Sequence, residues 1–196
     1  MNKKSHLFVT GKIAECLPKR DRRWLLLGSI LPDILFYTYL KGHTWESSFE
    51  NISKKMYKLG RNGRNNRYSY LMLGYMLHYV ENFYTLAHNP VFEGNLSEHI
   101  MYERKLSEYL SERNYLFSVK EDNKMSITAM VEYLKKSHKT YLEQAGDFET
   151  DVRYIYATAE AVSGCLLRAI ELNSSVNDGV DGIPVYAISD CQKVRL

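Results

Sequence analysis

Apolar residues recur along most of this chain with the 3.6-residue period of an α-helix, and no segment alternates with the period of two that a half-buried strand needs. Leu7, Phe8, Ile13, Ala14 and Leu17 mark a first amphipathic helix ended by Pro18. Trp24 to Leu31 is a largely apolar stretch, broken by Gly28 and Ser29, that stops at Pro32 and Asp33. Phe36 to Leu40 reads as a short helix, and Thr44 or Trp45 to Leu59 as a longer one. Gly60 to Asn66, rich in glycine and asparagine, reads as a loop. From Arg67 to about Leu86, residues Leu71, Gly74, Tyr75, His78 and Asn82 share one helix face. Asn95 to Ser97 then opens a helix to about Glu112. The stripes Ile127, Met130, Val131, Leu134, Tyr141, Leu142 and Val152, Ile155, Tyr156, Ala159, Val162, Leu166, Ala169, Ile170 predict two more. The expected fold is all-α: one multi-helix bundle over residues 1–172, with an irregular tail at 173–196, where Ser, Asn, Asp and Gly take over.

At 196 residues the chain is long enough for one continuous core. Its net charge of +3 is too small to imply nucleic-acid binding, although Lys54 to Arg67 holds six basic residues that could attract a phosphate. Cys16, Cys165 and Cys191 are odd in number and form no CxxC pair, which argues against a disulfide framework or a cysteine metal site. Lys3 and Lys4 resemble the start of a signal peptide, but His6 and Lys12 fall where its apolar core would be. No run approaches 18 apolar residues, so no transmembrane helix is expected and a cytoplasmic location is the default. The 16 tyrosines suit half-buried helix faces and the walls of a polar cleft, with Tyr79 and Tyr84 as candidates for the latter.

The histidines carry the chemical signal. Five lie in the first 99 residues, and His78, His88 and His99 fall within a span of 22. Glu103 follows His99 by four positions, which stacks imidazole and carboxylate on one helix face. Asn82 stands in the same relation to His78. Asp33 follows Pro32 and His43 follows Gly42, where a bend can aim a side chain inward. Singly, each has an ordinary structural explanation: a surface pair, a satisfied core histidine or a helix cap. Together they suit zinc, which takes imidazole and carboxylate where cysteine is absent. Paired ions of this kind serve phosphodiester chemistry. There is no HExxH, no Glu-x-x-His, no His-Asp doublet, no GxSxG and no P-loop, and Cys16 with a distant histidine is not enough for a thiol nucleophile.

The order of these pieces resembles the bacterial zinc-dependent phospholipase C family, whose fold is shared with single-strand-specific zinc nucleases. The matching pieces are His6, the Pro32-Asp33 segment and His43, followed by His78, Asn82 and His88 on and after one helix, and His99 with Glu103. The resemblance covers roughly residues 3 to 105. It implies that Asp33, His43 and His78 hold one zinc and His88, His99 and Glu103 a second, with Asp33 as candidate general base. It also implies a third zinc on His6, the chain's N-terminal residue and an aspartate at position 82. Here position 82 is Asn, and Glu81 is the nearest acid that could substitute. Two zinc ions are therefore expected and the third is left open.

The function implied is zinc-dependent hydrolysis of phospholipid headgroups or related phosphodiesters. A metal-binding helical domain with degenerate or no activity is the alternative, and a nuclease a weaker one.

Overall fold

The structure is a computed structural model that describes residues 1–35, 43–112 and 125–177. Among these residues there are seven α-helices and no strand, the all-α fold expected. They are α1 (Lys3–Ala14), α2 (Lys19–Ile34), α3 (Trp45–Asn62), α4 (Arg67–Phe83), α5 (Leu96–Ser111), α6 (Ile127–Gln144) and α7 (Phe148–Asn177). A single 3₁₀ turn, Leu86–His88, follows α4.

The helices start where side chains can accept the free N–H groups of a first turn. Asn2, Thr44, Asn66 and Ser126 cap α1, α3, α4 and α6. Asn95 and Glu98 form a full capping box on α5.

Helix α4 is the axis of the fold. Every residue from Met76 to Phe83 is buried, polar ones included, so α4 is enclosed on all sides near its C-terminal end. Helix α2 crosses it on one side, α7 and α3 pack on others, α6 lies on α7 and α3, and α1 rests on α2. Helix α5 has only Leu106 and Leu110 fully buried, and it meets the rest chiefly through α1, α7 and the 3₁₀ turn.

Three boundaries differ from the sequence reading. Helix α2 begins at Lys19, directly after Pro18, and continues through Pro32 to Ile34. Proline removes only its own donor, and the Leu35 N–H still reaches the Leu31 carbonyl at 3.1 Å. Gly60 lies inside α3 and not in a loop. There its bare Cα fits against the Ile127 side chain, and its carbonyl accepts from Asn173 at 3.1 Å. Helix α7 runs on to Asn177, past the point where the composition changes. The short helix expected at Phe36 to Leu40 and most of the tail lie outside the described residues.

Candidate metal centre

His6 is fully buried on α1, with its ring stacked on that of His78 at a centroid distance of 3.9 Å. Its Nδ1 lies 2.5 Å from Glu81 Oε2, and Thr10, one turn further along α1, donates to Glu81 Oε1 at 3.1 Å. A proton held between Nδ1 and the carboxylate leaves Nε2 as the lone-pair nitrogen, and that buried Nε2 has no hydrogen-bond partner among the described residues. His78 is set in the same manner: its Nδ1 donates to the Ser29 carbonyl at 2.8 Å, and Nε2 faces Asp33 Oδ1 at 3.7 Å. One donor atom each from His6, Asp33 and His78 lie within 4.8 Å of one another. His43 stands beside them, its ring 5.1 Å from that of His78, with both nitrogens buried and without a hydrogen-bond partner among the described residues.

A second group forms from the 3₁₀ turn and α5. Glu103 Oε1 lies 2.9 Å from His88 Nε2 and 3.2 Å from His99 Nε2, and the three donor atoms again fall within 4.8 Å. The α-amino group of Met1 enters the same space, 2.7 Å from His88 Nε2 and 3.1 Å from Glu103 Oε1. Nε2 of His88 cannot accept a proton from the amine and donate one to the carboxylate at once. Lone pairs converge here on a common point, which suits a cation better than a hydrogen-bond network. Asn82 lies between the two groups, with Oδ1 accepting from the Met1 amine and Nδ2 3.1 Å from His78 Nε2. Asn2 also ties this end of α1 to α5 by donating to the Glu103 carbonyl at 3.2 Å.

The electrostatics favour neutral imidazoles. Burial, then the neighbouring positive groups, pushes His6 and His78 well below their ordinary range, and takes His88 to about 3 and His43 to about 4. Burial raises Asp33 to about 6. Burial would also raise Glu103, but hydrogen bonds from His88 and His99 and the nearby amine hold it well below the usual carboxylate range. Neutral imidazole and ionised carboxylate are the forms that bind zinc, and the unpartnered buried nitrogens of His6 and His43 give such an ion places to bind.

All eight candidate residues, His6, Asp33, His43, His78, Asn82, His88, His99 and Glu103, thus meet in one region. The grouping differs in detail from the one the resemblance implies, because His6 joins Asp33 and His78. Glu81 does not face this space and instead holds the far side of His6. The N-terminal amine, which the resemblance sets in a third site with His6 and position 82, stands beside Asn82 but also beside His88 and Glu103. Tyr84 proves to be core, with its hydroxyl donating to the Leu134 carbonyl at 2.9 Å, and Tyr79 is buried edge-on to His43. The region opens into a groove of about 1340 Å³ lined in part by Asp33, His43, His99 and Glu103, with Phe8, Leu96 and Ile100 beyond. No helix among the described residues is long and apolar enough to cross a membrane.

No curated protein and no solved structure matches the chain. A family model described as zinc dependent phospholipase C matches residues 5–148. That stretch is well over half of the chain and holds every side chain of both donor groups. The chain belongs to the zinc-dependent phospholipase C family.

Proposed function

We propose that this chain hydrolyses phosphodiester bonds of phospholipid headgroups at a site that holds two zinc ions. The observation that carries the reading is the convergence of two imidazole–carboxylate groups at one groove. His6, Asp33 and His78, with His43 beside them, would hold one ion, and His88, His99, Glu103 and the Met1 amine the other. Zinc bound there would neutralise charge on a phosphoryl group and make water easier to deprotonate. Asp33 is the general base of this reading. Phe8, Leu96 and Ile100 offer apolar surface to an acyl portion, while Lys3, Lys4 and Arg104 supply positive charge for the phosphate.

The test is zinc content per chain, followed by headgroup release from a short-chain phosphatidylcholine. Two zinc ions and hydrolysis that is lost in His88→Ala and Glu103→Ala are expected. Full activity in either variant would end this reading. A second reading, metal binding without catalysis, draws on Asn82, a neutral amide lying between the two donor groups. Two bound zinc ions without hydrolysis of any phosphodiester, single-stranded oligonucleotides included, would favour it.

A further inference from the structure

Asp151 lies on α7, three residues beyond the stretch that matches the family. It is fully buried, and three donors converge on its carboxylate. Oδ2 accepts from the Leu86 backbone N–H at 3.0 Å and from the Tyr102 hydroxyl at 2.9 Å, while Oδ1 accepts from the Tyr141 hydroxyl at 2.7 Å. Leu86 opens the 3₁₀ turn that carries His88 two residues later. Tyr102 sits on α5 between His99 and Glu103. One carboxylate oxygen therefore joins the two segments that supply every side chain of the second donor group. Helix α5 fully buries only Leu106 and Leu110, and Asn2 ties it to α1 and not to the 3₁₀ turn. A carboxylate inside a core is costly unless several hydrogen bonds offset the lost water, and two of the three here go to ligand-bearing segments.

We infer that Asp151 is a positioning residue that sets the distance between His88 and the His99–Glu103 pair, and so the zinc affinity of that group. The inference rests on the reading that this group binds zinc. Groups that orient ligands from behind typically govern metal affinity ten- to a hundred-fold.

The experiment is a competition titration of zinc into the metal-free full chain, with thermal unfolding measured in parallel. Asp151→Ala removes every acceptor and so both links. In Tyr102→Phe only the link to α5 is cut. Tyr141→Phe removes the remaining bond, which holds neither segment. We expect one of two zinc affinities to fall about ten- to a hundred-fold in Asp151→Ala and Tyr102→Phe. Tyr141→Phe should unfold at lower temperature yet bind both ions as the wild type does. Should Asp151→Ala not fold, Tyr102→Phe decides alone. Wild-type affinities in Tyr102→Phe, or an equal loss in Tyr141→Phe, would overturn the inference while leaving the zinc reading intact. A wild-type chain that takes up no zinc would overturn both.

Discussion

The Glu81 carboxylate and the His6 imidazole form a fully buried pair, with Oε2 2.5 Å from Nδ1, on the side of the ring away from the groove. Neither group is stable there as an isolated ion: burial drives Glu81 well above and His6 well below their ordinary ranges. The pair is best regarded as one shared proton that fixes the ring's orientation and leaves Nε2 free for the site. In Glu81→Gln the amide is a weaker acceptor for that proton and holds the tautomer less firmly. Zinc affinity at the His6 group should fall roughly ten-fold. The metal-free protein should lose little stability, because the amide oxygen of Gln still accepts a hydrogen bond in place of the neutral pair. Competition titration measures the first and thermal unfolding the second. Unchanged affinity would refute the orienting role.

Gly28 and Gly74 meet where α2 crosses α4. A Cβ on Gly28 would lie 2.1 Å from the Leu71 carbonyl oxygen, and one on Gly74 would lie 2.0 Å from that of Leu25. Backbone is the obstacle at both positions, so no rotamer change relieves the clash. The crossing also brings the Ser29 carbonyl to His78 Nδ1. Gly28→Ala and Gly74→Ala should each cost about 3 kcal/mol or more, at or above the upper end for overpacking. That corresponds to a fall of roughly 6–12 °C in melting temperature for a domain of this size. Each variant should also weaken zinc binding by shifting His78. A stable variant with native zinc affinity would show that the helices can part without cost to the site.

His138 gives the fold a pH dependence of its own. It is buried on α6, stacked on Trp45 at 3.9 Å, and its Nε2 lies 3.0 Å from Asn89 Oδ1. Burial lowers it to about 4, against the opposing pull of Glu46 and a backbone hydrogen bond at Phe83. The unfolded chain takes up this proton near pH 6.5 and the folded chain only near 4. The stability it contributes is therefore present above 6.5 and is lost as pH falls through that window. Asp151, raised to about 6 by burial, has the opposite sign: it favours the fold at low pH and loses that stabilisation as pH rises from about 4 to 6. A single variant isolates the histidine. His138→Gln should flatten the fall in stability between pH 6.5 and 4 by about 1–3 kcal/mol. Denaturant unfolding at a series of pH values measures it. Parallel profiles for variant and wild type would mean that His138 does not titrate in this window.

The all-α class and most helix positions were legible in the sequence, because 3.6-residue stripes such as Val152 to Ile170 report burial directly. The His99–Glu103 pair was legible because the two sit one turn apart on a face that α5 keeps. What pairs with what was not. His6 joins His78 through a ring stack between α1 and α4, and the Gly28–Gly74 crossing brings α2 with Asp33 to the same place, relations that no spacing along the chain sets. Glu81 lies one residue from Asn82, and the turn of about 100° between them sends it behind His6 and not into the site. Pro32 and Gly60 misled for a common reason: local breaker propensity yields where a neighbouring helix supplies the packing.

Asn82 offers the sharpest separation between a working and a degenerate site. It is fully buried, its Oδ1 accepts from the Met1 amine, and its Nδ2 lies 3.1 Å from His78 Nε2. An amide there carries no charge to set against two cations. Asn82→Asp places a carboxylate at the same position without a change of shape. In the metal-free protein that anion is buried and can no longer donate to His78 Nε2, a loss that the Met1 amine offsets only in part, so stability should fall. With zinc present the anion faces two cations, and affinity should rise. A ten-fold gain in affinity is worth about 1.4 kcal/mol. Through mass action this widens the gap between zinc-loaded and chelated melting temperatures by roughly 3–5 °C. If hydrolysis of short-chain phosphatidylcholine rises with that gap, the native chain is a weakened phosphodiesterase limited by residue 82. If the gap widens while hydrolysis stays flat, the donor groups hold zinc without completing a catalytic site, and metal binding is the chain's function. If neither changes, the Met1 amine and Glu103 already balance the charge between the two groups.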